Sequence, residues 1–122
     1  MWTEDLEGQA AFYAKYFGAQ VGPKYTNPAK GYQSCFVAFG AGARLELMTT
    51  TALRPVRHAP GAQRIGLTHL ALSVGSSEKV DELTAALGAD GFEVADGPRR
   101  TGDGYYESVV LDPDGNRIEL AA

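Results

Sequence analysis

Two short stretches of the chain each place an acid close to an arginine at matching positions. Residues 42–47 read Gly-Ala-Arg-Leu-Glu-Leu, and residues 115–120 read Gly-Asn-Arg-Ile-Glu-Leu. Side chains alternate between the two faces of a strand, so Glu46 and Glu119 lie on the face opposite the aliphatic residues. A partly buried carboxylate is costly unless a cation neutralises it. Two acids at equivalent places therefore predict a shared cation, and with it a metal site.

A third candidate ligand is His69, which opens the stretch Thr-His-Leu-Ala-Leu-Ser-Val. Alternation over residues 70–74 puts the large aliphatic side chains on one face and leaves His69 on the other. If helices cover the aliphatic faces, Glu46, His69 and Glu119 share the open face of a sheet bent into a trough. One imidazole and two carboxylates suit Mn, Fe, Co, Ni or Zn, so the predicted cofactor is a divalent metal ion of this group.

The alternative to a metal site is a set of ordinary structural roles. Glu46 would pair with Arg44 and Glu119 with Arg117 on exposed sheet faces, while His69 would be a polar residue of the core.

The two motifs belong to a longer internal repeat of 73 positions. Gly18, which ends the first helical stretch, corresponds to Gly91, which ends the second. We therefore expect a single domain of two modules, residues 1–50 and 66–122, joined by a linker over residues 51–65. The fold class is α+β, with two βαβββ modules that form a curved mixed sheet around a central trough.

The first module lacks most of its first strand. Only Met1 and Trp2 precede its helix, which is too little for a strand, so the edge of the strand at 44–48 is predicted to be unpaired. The position equivalent to His69 would fall before Met1. We expect either a chain that starts late or a second subunit that completes the site.

Local patterns place the remaining elements. A helix is expected over residues 3–18 with Thr3 as its N-cap, and another over residues 78–87 after Ser76 and Ser77. A short strand at 92–95 is expected to end at Gly97-Pro98, and a loop to follow over residues 99–104.

Composition excludes several partner classes. The 122 residues carry a net charge of −4 and their basic side chains are scattered, so neither nucleic acid nor an anionic membrane is an expected partner. No apolar run is long enough to span a bilayer, and the N-terminus is acidic where a signal peptide would be basic. The single cysteine, Cys35, is expected to be buried and reduced. We expect a cytoplasmic protein.

Several motifs resemble those of one known superfamily. Leu-Asp-Pro-Asp-Gly-Asn-Arg-Ile-Glu-Leu at 111–120, Thr-His-Leu-Ala at 68–71 and Leu-Glu-Leu at 45–47 are similar to the vicinal oxygen chelate proteins: glyoxalase I, the fosfomycin and bleomycin resistance proteins and the extradiol dioxygenases. In glyoxalase-type members His, Glu, His and Glu on the first, fourth, fifth and eighth strands hold the metal. The resemblance assigns the last three ligands to Glu46, His69 and Glu119, and the first has no counterpart here.

The resemblance implies a glyoxalase-like lyase or isomerase, similar to lactoylglutathione lyase. Such an enzyme acts on a small molecule with vicinal oxygens through a metal-stabilised enediolate. Glu119 would be the catalytic base and Glu46 the second carboxylate. The loop with Arg99 and Arg100 resembles the loop that takes a substrate carboxylate, and Tyr105 would also bind substrate. The residues that follow Glu46 give little support for glutathione as part of the substrate. A homodimer is the expected assembly.

Two other functions stay open on the sequence. A non-catalytic, resistance-type protein of the same fold would bind a small molecule in the trough without a metal. An extradiol dioxygenase would need two histidines and one carboxylate at its iron, which matches this ligand set less well.

Overall fold

The chain divides into two compact units, Met1–Pro60 and Gly61–Ala122. The computed structural model describes residues 1–54 and 65–122. Residues 55–64, most of the predicted linker, lie outside the described residues. Within the described ranges, each unit has one α-helix and one four-stranded sheet, which confirms the predicted α+β class and the repeated module.

The sheet of the first unit is built around one long strand. The elements are α1 (Leu6–Phe17), β1 (Gln20–Val21), β2 (Tyr25–Asn27), a 3-10 turn (Pro28–Lys30), β3 (Tyr32–Ala38) and β4 (Arg44–Thr50). β4 pairs with the whole of β3 in the antiparallel sense, while β1 and β2 pair with its two halves on the other edge. All four strands lie in one sheet beside α1.

The second unit repeats this arrangement with a complete opening strand. Its elements are β5 (Leu70–Ser73), α2 (Ser77–Ala89), β6 (Val94–Arg100), β7 (Tyr106–Leu111) and β8 (Arg117–Ala121). The sheet order is β5-β8-β7-β6, with β5 parallel to β8 and the other pairs antiparallel. β6 takes the place that β1 and β2 share in the first unit.

Each sheet buries its aliphatic face against its own helix. In the first unit Tyr13, Val37 and Leu47 are completely buried. In the second unit five aliphatic residues are completely buried: Val80, Leu87, Val110, Ile118 and Leu120. Complete burial of each such side chain stabilises the fold by about 1.5–3 kcal/mol, so the alternation read from the sequence determines which face of each sheet stays open.

The N-terminal residues form a short strand-like segment, contrary to the prediction that they are too few. Thr3 N donates to Met48 O at 2.9 Å, and Met48 N donates to Met1 O at 2.8 Å, so this segment pairs in parallel with β4 at Trp2. The matching bond in the second unit joins Val74 N to Ala121 O at 2.8 Å. The edge of β4 is therefore paired at Met48, and the expectation of an unpaired edge is wrong for this stretch.

This pairing also moves the start of the first helix. Asp5, not Thr3, is the N-cap of α1, and its Oδ1 accepts a hydrogen bond from Gly8 N at 3.0 Å. Thr3 belongs to the segment bound to β4, and its hydroxyl bonds instead to the backbone of Asp5. The cap predicted for α2 is confirmed, because the Ser76 side chain accepts from Lys79 N at 3.2 Å.

Strand β6 is longer than predicted. It continues through the cis Gly97–Pro98 bond to Arg100, with two register shifts against β7. A proline lacks the N–H of an inner strand but is tolerated at the edge of a sheet, where β6 lies. The predicted loop over 99–104 is therefore wrong at its start, since Arg99 and Arg100 are strand residues.

The Asp-Pro-Asp-Gly-Asn motif forms a hydrogen-bonded turn between β7 and β8. Asp112, only 4% exposed, accepts from Asp114 N at 3.0 Å and Asn116 N at 2.8 Å, and Asn116 Nδ2 donates to its Oδ2 at 2.9 Å. Gly115 takes a φ of 81°, a conformation that favours glycine. The turn leads directly into β8, the strand that carries Glu119.

We expect Asp112→Ala to lower the free energy of unfolding by about 1–3 kcal/mol, because several part-buried hydrogen bonds of the turn lose their acceptor. Urea unfolding of both proteins would measure the difference. The control is Asp114→Ala at the exposed corner of the same turn, which should change stability by less than about 0.5 kcal/mol. Equal losses in the two variants would contradict a specific role for the Asp112 carboxylate.

Candidate metal and substrate site

His69 and Glu119 are brought together inside the second unit. β5 pairs in parallel with β8, with Ala71 opposite Glu119, and His69 lies just before β5. His69 Nε2 is 3.4 Å from Glu119 Oε2, and the two side chains are 40% and 19% exposed. Two of the three predicted metal ligands therefore lie close together at a half-buried, solvent-accessible position.

The face that carries this pair is the one predicted from the sequence. Ile118 and Leu120 are buried, while Arg117 and Glu119 point the other way. Strand β7 adds Glu107 and Val109 to the same face, since Val109 is paired with Glu119 and Glu107 with Ala121. A carboxylate on this face is accessible to a ligand without disturbing the aliphatic core.

Glu46 occupies the equivalent place in the first unit but has a different partner. It lies on β4 opposite Phe36, and its side chain is half-buried. The Tyr32 hydroxyl donates a hydrogen bond to Glu46 Oε1 at 3.4 Å. The phenol is a neutral donor. The Met1 ammonium is a second neighbour: burial lowers the pKa of that ammonium, and the charge of Glu46 opposes the shift.

Arg44 and Arg117, which lie on the same strands as Glu46 and Glu119, interact with other groups. Arg44 lies over the ring of Phe36, with its guanidinium carbon 4.6 Å from the ring centroid. Arg117 contributes to the electrostatic field at Asp96. Among the described residues, the side chain of Glu46 bonds to Tyr32 and that of Glu119 contacts His69, while Met1 and Arg99 supply the nearby positive charges. Two Arg–Glu pairs on the glutamate strands are therefore not the arrangement of these residues.

Arg99 lies on the same face as Glu119, in a cluster with the carboxylates of Asp96 and Glu107 that the sequence analysis did not predict. Its Nε and Nη2 are each 2.8 Å from Asp96 Oδ2, and Nη2 is 3.3 Å from Glu107 Oε1. The hydrogen bond from Arg99 holds the pKa of Asp96 below its usual value, and Asp96 in turn raises the pKa of Arg99. Glu107 could have been found from its place on the alternating face of the strand before the turn.

Arg100 points away from Arg99, as neighbouring strand residues do. Its guanidinium lies over the Tyr106 ring at 5.6 Å, and the Tyr106 hydroxyl donates to Asp81 of α2 at 2.8 Å, which raises the pKa of that hydroxyl. Tyr105 lies before β7 and is 59% exposed. The structure thus brings Arg99, but neither Arg100 nor Tyr105, into the cluster around Glu107; their substrate roles stay predictions.

The donor chemistry fits a borderline divalent ion. Within either unit, the described residues contain no group of three His, Cys, Asp or Glu side chains placed to hold a metal. In the second unit, His69 and Glu119 supply one imidazole nitrogen and one carboxylate. This pair lacks thiolate, and both donor types are ones that the metals expected from the sequence accept. None of the described helices is long and apolar enough to cross a membrane.

A family comparison covers almost the whole chain. The family model described as "Glyoxalase/Bleomycin resistance protein/Dioxygenase superfamily" matches residues 1–120. The uncharacterized protein YqjT of Bacillus subtilis (strain 168) is 40% identical over 62 residues, which are 48% of this chain and 48% of that protein. The chain therefore matches about half the length of this curated relative.

Solved structures share the fold at low identity. The trypanothione-dependent glyoxalase I of Leishmania major is 25% identical, with a TM-score of 0.75 over 99% of this chain and 81% of that one. A glyoxalase family protein from Enterococcus faecalis is 24% identical, with a TM-score of 0.74 over 97% and 89%. Glyoxalase I from Zea mays is 21% identical, with a TM-score of 0.74 over 98% and 41%. The last two likenesses bear on the fold alone.

We predict that Arg99→Met raises the pKa of Asp96 toward its ordinary value, because the charged donor that stabilises the carboxylate is removed. Titration of the side-chain carboxyl by ¹³C NMR would measure this shift. Arg100→Met is the matched control, since Arg100 contacts Tyr106 instead, and it should leave the pKa of Asp96 unchanged. An unchanged pKa in the Arg99 variant would show that Asp96 does not depend on this ion pair.

Proposed function

Because this chain belongs to the glyoxalase/bleomycin resistance protein/dioxygenase superfamily, we propose that it is a metal-dependent lyase or isomerase of the glyoxalase type. The observation that supports this proposal most is the contact between His69 and Glu119 on the open face of the second sheet. The substrate would be a small molecule with two neighbouring oxygens, such as an α-hydroxycarbonyl or a thiohemiacetal. A cytoplasmic homodimer is part of the same proposal.

The proposed ligands of the ion are Glu46, His69 and Glu119. Their partners are compatible with this role: a neutral phenol bonds to Glu46, and an imidazole and a carboxylate contact each other in the second unit. Ni, Zn, Mn, Co or Fe would suit one nitrogen and two carboxylate donors. When bound, the ion would supply Lewis-acid stabilisation of the negative charge that develops on the substrate oxygens.

The chain's own residues would carry the proton transfer. Glu119 is the proposed base, because its carboxylate is 19% exposed, lies on the open face and has no basic partner closer than His69 among the described contacts. It would accept the proton from the carbon beside the substrate carbonyl and return it to the neighbouring carbon. Glu46 is the proposed second carboxylate.

Arg99 is the proposed group that orients a negatively charged part of the substrate. Asp96 and Glu107 hold its guanidinium on the Glu119 face, which fixes its planar set of donors before a ligand binds. Arg100 and Tyr105 would then contact substrate only outside this cluster, because Arg100 lies over Tyr106 and Tyr105 is largely exposed.

A non-catalytic binding protein is the second candidate, favoured by the aromatic surface of the first unit. Trp2 and Phe36 are 50% and 39% exposed, and Trp2 meets Tyr32 edge-on with ring centroids 6.3 Å apart. Such rings offer apolar area to a drug-sized ligand. Metal content separates the two candidates, because only the enzyme requires a bound ion.

We predict that Glu46→Ala, His69→Ala and Glu119→Ala each weaken binding of Ni²⁺ or Zn²⁺ by at least about tenfold, since even indirect supports of a metal site typically contribute that much. Isothermal titration of the purified protein would measure the affinity. The double variant Arg44→Met with Arg117→Met keeps all three donors and should bind the ion like the parent. Parent-like binding in the three alanine variants would refute the proposed ligand set.

The catalytic assignment makes a separate prediction. Glu119→Gln should reduce the rate of hydrogen exchange at the substrate carbon by about 100-fold or more, because the amide cannot act as a base. The measurement is deuterium incorporation into the thiohemiacetal of methylglyoxal in D₂O with the metal present. Arg117→Met, on the same strand and face, should keep most of the exchange rate.

A further inference from the structure

Four side chains form one row across the open face of the first sheet. Trp2 is paired with Met48, Met48 with Ser34, and Ser34 with Tyr25. Residues paired across neighbouring strands lie on the same face, so this row has an aromatic ring at each end. Trp2 and Tyr25 are 50% and 56% exposed, whereas Ser34 in the middle of the row is buried.

The ring of Tyr32 lies between the two rings at the ends of this row. Tyr32 is two residues before Ser34 on β3 and shares its face. Its ring centroid is 6.3 Å from that of Trp2 and 6.2 Å from that of Tyr25. The planes meet at 89° and 59°, and aromatic pairs favour such edge-on or tilted arrangements. Two neighbouring rings therefore hold the Tyr32 side chain in place on the sheet.

The hydroxyl of Tyr32 reaches Glu46 along the same face. Tyr32 pairs with Thr50, and Glu46 is four residues before Thr50 on β4. The phenol extends along the strands to cover this distance, and its hydroxyl donates to Glu46 Oε1 at 3.4 Å. The hydrogen bond from the Met1 ammonium goes to the main-chain oxygen of Glu46. Tyr32 is thus a donor to the carboxylate itself.

The backbone of Tyr32 is held on both edges and at the start of β3. Tyr32 pairs with Asn27 of β2 on one edge and with Thr50 of β4 on the other. Just before it, Gly31 has a φ of +56°, and its carbonyl accepts a hydrogen bond from Thr51 N at 3.0 Å. A Cβ added at Gly31 would lie 2.5 Å from Thr51 Oγ1, so this junction is tightly packed.

The second unit gives its equivalent acid a different neighbour. Tyr105 lies at the position that corresponds to Tyr32 in the repeat. It is 59% exposed and precedes β7, while Glu119 contacts His69. In the first unit a phenol is therefore the side-chain neighbour of the acid, where the second unit has an imidazole.

We propose that Tyr32 is a positioning residue for the metal ion, because its hydroxyl fixes the direction of the Glu46 carboxylate. This rests on the proposed function, in which Glu46 is a ligand of the ion. Tyr32 does not bind the ion in this role and acts only through Glu46. Loss of a hydrogen-bond partner of a metal ligand typically lowers metal affinity by about 10–100-fold.

The test is isothermal titration of the purified full chain with Ni²⁺. Tyr32→Phe keeps the ring between Trp2 and Tyr25 and removes only the hydroxyl, so it should raise the Kd for Ni²⁺ by about tenfold or more. Tyr25→Phe is the matched control and should bind Ni²⁺ like the parent, because the Tyr25 hydroxyl accepts a hydrogen bond from Asn27 Nδ2 at 3.5 Å. Urea unfolding should show that both metal-free variants are folded.

A double-mutant cycle shows whether Tyr32 acts through Glu46. In the Glu46→Ala background, Tyr32→Phe should change the Kd by less than about twofold, since the carboxylate that it positions is gone. An equal rise in both backgrounds would overturn the inference alone, as would parent-like binding by Tyr32→Phe beside weakened binding by Glu46→Ala. Parent-like binding by Glu46→Ala would refute the proposed ligand set and this inference with it.

A second variant serves if Tyr32→Phe does not fold. Trp2→Leu keeps the Tyr32 hydroxyl but removes one of the two rings that hold it. The Kd for Ni²⁺ should rise in this variant and should not rise further when Trp2→Leu is added to Glu46→Ala. An unchanged Kd in Trp2→Leu would then overturn the inference.

Discussion

The parallel pairing of β8 with β5 is the interaction on which the second unit depends. It sets Ala71 opposite Glu119, which brings His69 Nε2 to within 3.4 Å of the carboxylate. The same ladder turns Ile118 and Leu120 onto α2, where both are buried. A one-residue slip would exchange the two faces and bury the acid, so the aliphatic core and the candidate site share one register.

In the first unit, a shorter segment makes the equivalent parallel pairing. Residues 1–3 pair with β4 at Met48 as β5 pairs with β8, and Glu46 then lies on the open face. A phenol from Tyr32 contacts Glu46 in place of a histidine. The two equivalent acids consequently have different neighbours: an imidazole and the charge of Arg99 near Glu119, and a phenol and the Met1 ammonium near Glu46.

Charge on the open face of the second sheet is arranged around Arg99. Asp96 accepts a hydrogen bond from Arg99, Glu107 forms an ion pair with it, and the field of Glu119 adds to theirs. Exposed ion pairs of this kind contribute little to stability. Their effect is on position, because the guanidinium is held on the face where the proposed substrate binds.

The sequence by itself determined the repeat, the α+β class and the outward direction of both glutamates, because strand alternation and glycine-ended helices are local properties. The Asp112 turn was likewise visible in its motif. Only the tertiary structure decided that Arg99 and Arg100 are strand residues facing opposite ways, since β6 continues past Gly97–Pro98 by pairing with β7. The Glu107 contact and the Tyr32–Glu46 bond also depend on pairing between strands distant in sequence, which local patterns do not encode.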